Sequence, residues 1–294
     1  MKDNMDFFIS KLRESGYTDF EIDDILNGLL CDKKATFRIN RLKTNITKVT
    51  ELLDSLSIEF KFDNECEDAI ILQNYNDKKD FDTKTGLSVR DFDMYKSGKI
   101  YFQNVSSMMP VYLLNPKPNE NILDMCAAPG GKTTMIQSLT NNKSYLTAVE
   151  LHTDRFEKLK HNCKLQGANA YLINSNANDL DNNLKFDKIL LDAPCSGSGI
   201  IDLNDNKKIE GFTDTLINKC VSTQKKLLKK AYKLLKKGGE LVYSTCSLLK
   251  IENEDMVKFA VENGYSLYDE SKPFIKIMPD EIREGFFMAK FKKL

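Results

Sequence analysis

Tryptophan is absent from this sequence, and histidine occurs only twice, at His152 and His161. Two histidines are too little material for a His-rich zinc site or a Ser-His-Asp triad. A net charge of either sign is also missing, because Lys+Arg and Asp+Glu stand at 43 each. Any polyanion would have to be gripped by a local basic surface, not by overall charge. No apolar run approaches the roughly 18 residues of a membrane span, and the opening "MKDNMDFFIS" lacks the charged-then-apolar layout of a signal peptide. The seven cysteines (Cys31, Cys66, Cys126, Cys163, Cys195, Cys220, Cys246) are odd in number and contain no C-x-x-C pair. These absences predict a reduced, cytoplasmic chain with no membrane contact. What remains for chemistry is thiols and carboxylates, and no metal is needed.

With 294 residues and 41% hydrophobic content, the chain can bury one full core and a second, smaller one. Residues 6–30 read as two short amphipathic helices, broken at Gly16 and restarted by Thr18. From Thr36 to about Ser97, β-leaning pieces ("TFRIN", "IEFKF", "AIILQ") surround the helical "TKVTELLDSL", which predicts a small α+β unit. After Gly98 the texture changes to apolar strands alternating with helices: "NILDMC", "SYLTAVE", "AYLINSN", "FDKILLDA" and "GELVYSTC". That alternation predicts a doubly wound parallel sheet with helices on both faces. The closing "GFFMAKF" reads as a further strand, antiparallel to a segment around residues 265–275. We therefore expect two domains, residues 1–97 and 98–294.

"ILDMCAAPGGKTT" runs from a strand through a turn of small residues into a helix, and Glu150 ends the next strand. A tight first turn with an acid after the second strand suits an adenosine-type cofactor, the acid reading a ribose hydroxyl. A Walker loop ending at "GKT" requires glycine where Cys126 stands, and G-x-G-x-x-G fails because only Gly130 and Gly131 follow Pro129. Three thiols lie at strand ends: Cys126 after the first, Cys195 in "LLDAPCSGSG" after the fourth, Cys246 in "VYSTCS" after the fifth. Each alone would pass for a small buried hydrophobe; together they are expected to face one crevice. A helix is expected after "STCS", its acidic first turn matching the positive N-terminal dipole, and a thiol near that end, such as Cys246, would ionise more easily. "TQKKLLKKAYKLLKKGG" is read as a core helix, with Leu227, Leu228, Ala231, Tyr232, Leu234 and Leu235 on its apolar face and lysines in water. His161 and Cys163 are read as ordinary helix residues.

"LDMCAAPGGKT", "DAPCSGSG" and "YSTCS" with "ENE" downstream resemble the motifs of the RNA cytosine-5 methyltransferases of the Nop/Sun/RsmB family. The likeness extends through "FRINRLKTN", "YFQNVSSMMPVYLLNPKPNENILDM", Gln224 and "EGFFMAKFKK", most of the chain. It implies a Rossmann-like class I methyltransferase sheet preceded by a small α+β RNA-recognition-like domain. S-adenosylmethionine would be held by Cys126, Ala127, Ala128, Pro129, Gly130, Gly131 and Lys132, with Glu150 at the ribose. Relatives usually carry an aspartate after the third strand, near the adenine; "INSNAND" offers Asn176 there, with Asp179 as the alternative. By the same resemblance Cys246 is the nucleophile that adds to carbon 6 of cytosine, and Cys195 helps to release the adduct. Asp192 would hydrogen-bond the activated ring near the cofactor. DNA cytosine-5 methyltransferases attack instead with the cysteine after the fourth strand, so position alone does not choose between the two thiols.

The implied substrate is an RNA whose cytosine is extruded or single-stranded. Ribosomal RNA leads and transfer RNA is the alternative, since no stretch after residue 294 is expected to supply an appended RNA-binding module. Arg38, Arg41 and Lys43 are candidates for phosphate contact, or else charges on a strand edge. From another class, a catalytically silent RNA-binding factor in ribosome assembly would keep the fold and lose the chemistry. A small-molecule methyltransferase would leave the N-terminal unit unexplained. A monomer is expected.

Overall fold

The structure, a computed structural model, describes residues 2–76 and 81–294. By its internal contacts the chain divides into two compact units: Asp32–Asn176, and a discontinuous unit made of Met1–Cys31 with Ala177–Leu294. The boundary expected at residues 97 and 98 falls inside the first of these.

Two helices open the chain, α1 (Lys2–Glu14) and α2 (Asp19–Leu30). Thr18 starts α2 with a reciprocal cap: its side chain accepts from the Glu21 N–H, and the Glu21 carboxylate accepts from the Thr18 N–H at 2.8 Å. Their apolar stripes are buried at Phe8, Leu12, Ile22 and Ile25, within the discontinuous unit. Phe8 meets Phe212 edge-on at 5.2 Å, and the Tyr17 hydroxyl donates to the carbonyl of Leu248 at 3.0 Å.

The continuous unit begins with β1 (Lys34–Ile39), α3 (Ile46–Ser55), β2 (Phe60–Phe62), β3 (Ala69–Asn76), β4 (Phe81–Asp82), the short α4 (Asp93–Lys96) and β5 (Ile100–Phe102). The strands pair antiparallel in the order β2-β3-β1-β5, with β4 on β3. β5 was not expected. The strands expected in "TFRIN", "IEFKF" and "AIILQ" are all present. β1 alternates: Ala35, Phe37 and Ile39 enter a core with Val49, Leu53, Ile58, Ile70 and Leu72, while Thr36, Arg38 and Asn40 are buried on the other side. There follow α5 (Val105–Leu114), β6 (Asn121–Asp124), α6 (Gly131–Thr140), β7 (Tyr145–Glu150), α7 (Thr153–Gln166) and β8 (Tyr171–Asn174). β6, β7 and β8 are parallel neighbours, Leu123 facing Thr147 and Ala148 facing Leu172.

The discontinuous unit continues with β9 (Phe186–Asp192), α8 (Asn206–Gly211), α9 (Asp214–Leu234), β10 (Leu235–Thr245), α10 (Glu254–Glu262), β11 (Tyr265–Leu267), β12 (Ile275–Ile277) and β13 (Phe286–Lys293). β9 and β10 are parallel, while β13 runs antiparallel to β10, β11 and β12. The closing strand thus pairs with the segment expected for it, and with β10 on its other side. α9 buries Leu227, Leu228, Ala231 and Leu234 as its spacing predicts. Lys230 departs from the expected solvated face: it is buried, with its ammonium donating to the Leu180 carbonyl and, at 2.8 Å, to Asn182 Oδ1.

Candidate active site

The parallel register of β9 and β10 sets Ser244 opposite Asp192. The two strands therefore end side by side, and the loops that leave them start together. Cys195 lies three residues past Asp192, and Cys246 directly follows the last residue of β10. Their sulfurs stand 3.0 Å apart. Both residues are half-buried and unbridged. Asp192 Oδ1 accepts from the Ser244 hydroxyl at 2.8 Å, and the Gly199 N–H donates to the Cys246 carbonyl at 2.9 Å. The hydrogen bond to Cys246, followed by burial and then by the nearby Cys246 and Glu252 charges, pushes the Cys195 thiol well above its ordinary range. Cys195 therefore keeps its proton at neutral pH.

A polar network surrounds the pair, and composition and spacing did not reveal it. Gln224, Ser198, Ser244, Thr245, Ser247, Glu252 and Asn253 are all fully buried. Thr245 donates to Asn253 Oδ1 at 2.6 Å, and Asn253 Nδ2 donates to the Ser247 carbonyl at 2.8 Å. The Gln224 amide donates to the Pro194 carbonyl at 2.9 Å. The only signal in the sequence was the family likeness, which included Gln224 and "ENE" without giving either a role. The helix expected to follow "STCS" begins later: a 3-10 turn at Lys250–Glu252 intervenes, and α10 starts at Glu254, eight residues past Cys246. The dipole of α10 acts only within its first turn, so the helix end expected beside Cys246 does not follow it directly.

The small-residue turn belongs to the continuous unit and is held by its own neighbours. Gly130 opens α6 at φ 108°, in the left-handed region. A side chain there would also crowd Leu159, whose Cδ1 would lie 3.1 Å from its Cβ. Arg155 donates to the Ala128 carbonyl at 2.7 Å and Asn162 to the Pro129 carbonyl at 2.8 Å. Thr133 donates to Asp124 Oδ2 at 2.7 Å, and Lys132 reaches the Ser107 hydroxyl at 2.7 Å. No side chain caps the α6 N-terminus. Glu150 ends β7, is 3% exposed, and accepts from the His152 N–H at 2.9 Å. Asn176 closes the continuous unit half-buried, and Asp179 is exposed in a 3-10 turn at the start of the stretch Ala177–Leu294.

The basic residues of "FRINR" are occupied within the fold. Arg38, 1% exposed, donates to Gln103 Oε1 at 3.0 Å, to the Gly131 carbonyl at 3.2 Å and to Thr134 Oγ1 at 2.5 Å. Burial lowers its pKa to about 10. That burial rules out both readings of Arg38 from sequence, phosphate contact and an exposed strand-edge charge. Arg41 pairs with Asp68 at 2.8 Å and Glu67 at 2.5 Å, and Lys43 donates to the carbonyls of Ser97 and Leu165. His161 and Cys163 lie within α7 as expected.

Parallel strands alternating with helices match the Rossmann-like fold of solved methyltransferases. A methyltransferase homologue from Pyrococcus horikoshii has a TM-score of 0.79 at 30% identity, covering 98% of this chain and 99% of that one. NSun6 from the same organism with SFG, an analogue of S-adenosylmethionine, has a TM-score of 0.79 at 25% identity, covering 92% and 94%. A family model described as 16S rRNA methyltransferase RsmB/F matches residues 111–292. The chain belongs to the RsmB/F methyltransferase family. It is 37% identical over 220 residues to a tRNA (cytosine(72)-C(5))-methyltransferase of P. horikoshii, covering 70% of this chain and 56% of that protein. It is 30% identical over 311 aligned residues to ribosomal RNA small subunit methyltransferase F of Shewanella loihica, covering 98% and 62%. The chain thus spans about six-tenths of the length of these curated relatives. Among the described residues no helix is long and apolar enough to cross a membrane.

Proposed function

We propose that this chain methylates carbon 5 of cytosine in RNA, foremost ribosomal RNA, through a covalent Cys246–cytosine intermediate. The observation that carries the reading is the pair of sulfurs at 3.0 Å. Carbon 5 of cytosine is a poor nucleophile until a thiolate adds at carbon 6. The resemblance to the family assigns the attacking electron pair to Cys246, and the bond to Cys246 and burial, which push the Cys195 thiol up, suit Cys195 to the role of proton donor. Cys195 keeps its proton as a donor and assists the later break of the carbon 6–sulfur bond, which returns the electron pair to Cys246. A base removes the proton from carbon 5. Asp192, whose Oδ1 accepts from the Ser244 hydroxyl, would hydrogen-bond the ring at its nitrogen 3 edge.

S-adenosylmethionine, the methyl donor of the family, supplies an electrophilic methyl group when bound. The uncapped α6 N-terminus behind Gly130 and the buried Glu150 carboxylate suit it. Cys126 to Lys132 would line it, Glu150 would meet its ribose, and Asn176 or Asp179 its adenine. In purified protein, labelled methyl should reach carbon 5 of cytosine in RNA, and Cys246→Ala should lower that transfer by at least a thousandfold. Full activity in Cys246→Ala sinks the assignment. Cys195→Ala should leave a protein–RNA adduct visible as a slow band on a denaturing gel.

Transfer RNA is the second substrate reading, favoured by the name of the P. horikoshii relative. Mapping bisulfite-resistant cytosines in cells with and without the gene separates the two.

A further inference from the structure

Four hydrogen-bond donors converge on one buried carboxylate. The Ser196 N–H and hydroxyl reach Glu252 at 2.8 and 2.6 Å, the Ser247 hydroxyl at 2.5 Å, and the Gln224 amide at 3.3 Å. Ser196 follows Cys195 directly and Ser247 follows Cys246 directly. The direction of each bond is fixed, since an ionised carboxylate only accepts. Ser247, having given its proton to Glu252, accepts from the Leu249 N–H at 3.0 Å and from the Ser198 hydroxyl at 3.0 Å. Ser198 in turn accepts from the Leu248 N–H at 2.8 Å. Each loop is thus stitched to the other through groups adjacent to its thiol.

We propose that Glu252 is a positioning residue for the two thiols: it fastens the Cys195 loop to the Cys246 loop and places a fixed negative charge beside Cys195. This rests on the reading of Cys195 and Cys246 as the chemical pair and adds what holds their two loops together. Burial pushes the Glu252 carboxyl up, while the Ser196, Ser247 and Gln224 donors stabilise its ionised form. A carboxylate there disfavours a second negative charge on Cys195. The carboxylate therefore helps to keep Cys195 neutral, as a proton donor requires. The other titratable groups facing this cluster are the phenol of Tyr243, which donates to the Glu252 carbonyl at 2.6 Å, the Cys220 thiol and Asp192. Burial pushes the Tyr243 phenol well above its ordinary range and Cys220 up to about 11, so both stay neutral in the working range.

The test compares the full chain with Glu252→Gln and Glu252→Ala. Each is alkylated with iodoacetamide across pH 6 to 10, and Cys195 and Cys246 are quantified separately by peptide mass spectrometry, without RNA. Glutamine can keep the bonds to Ser196 and Ser247 while removing the charge. Glu252→Gln should move the Cys195 profile to lower pH and raise its share of early labelling at least threefold. Glu252→Ala should in addition slow diamide-driven bridging of Cys195 to Cys246 at least tenfold. An unchanged Cys195 profile in Glu252→Gln overturns the proposal even if Glu252→Ala fails to fold. Because neither readout involves methyl transfer, an active Cys246→Ala protein would sink the nucleophile assignment and leave this result standing.

Discussion

Gly199 sits where two other stretches of backbone press on it. Its N–H donates to the Cys246 carbonyl and its own carbonyl accepts from the Gly285 N–H, each at 2.9 Å. A β-carbon there would lie 2.2 Å from the Gly285 carbonyl oxygen, and backbone cannot yield as a flexible side chain does. Gly199→Ala should cost on the order of 3 kcal/mol in urea unfolding and should lower methyl transfer by moving the Cys195 loop. Wild-type values of both would show that the loop tolerates the shift. Cys195 carries a second expectation at this scale. Its folded pKa lies above the unfolded value, so its contribution to stability is complete below the unfolded thiol value of about 8.5 and is lost as pH rises through the folded one. Cys195→Ser has no such titration. The stability gap between the two proteins should therefore shrink on the alkaline side, as urea midpoints at pH 7, 9 and 10 would read.

Among the elements, α2 owes its start to a device visible in the letters: threonine followed three residues on by glutamate. Thr18→Ala should destabilise the chain by about 1 kcal/mol, seen as a lower urea midpoint, with methyl transfer unaffected. Much of the rest was equally legible. Period-2 and helical spacing disclosed β1, β3, β6 to β10 and α9, and the position of "STC" and "DAPC" at strand ends put two thiols, 51 residues apart, on one crevice, where their sulfurs meet. Other features were hidden for physical reasons. β5 is three residues long and held by its pairing with β1, which no local pattern encodes. The arginine of "FRIN" reads as surface charge because spacing does not say which face of a strand is covered. Its partners, Gln103 and Thr134, lie 65 and 96 residues away. Glu252 reads as the acidic start of a helix. In the fold its carboxylate turns toward Ser196 and Ser247, and the helix begins two residues later.

At the scale of the whole molecule, cofactor binding should appear as stability. A ligand at 100 times its dissociation constant adds about 2.7 kcal/mol to the state that binds it. S-adenosylmethionine should therefore raise the melting temperature by roughly 5 °C, and an absent shift at saturation would favour an RNA-binding role without chemistry. With charges balanced at 43 of each sign, the proposed RNA substrate would have to be held by local groups. Arg38, Arg41 and Lys43 already have partners inside the fold.

The discontinuous unit also imposes a timetable on synthesis. Helices α1 and α2 are made before the rest of their unit, yet Tyr17 finds its acceptor at Leu248, 231 residues later. At about 5–20 residues per second, that carbonyl leaves the ribosome roughly 10 to 50 s after the hydroxyl that needs it. Residues 32–176 can complete their own contacts in the interval, because none of those contacts waits for the C-terminal stretch. During that time Phe8 and Leu12, fully buried in the finished protein, have nothing to cover them. Helices α1 and α2 consequently wait longest, within residues 1–294, for the partners that cover them.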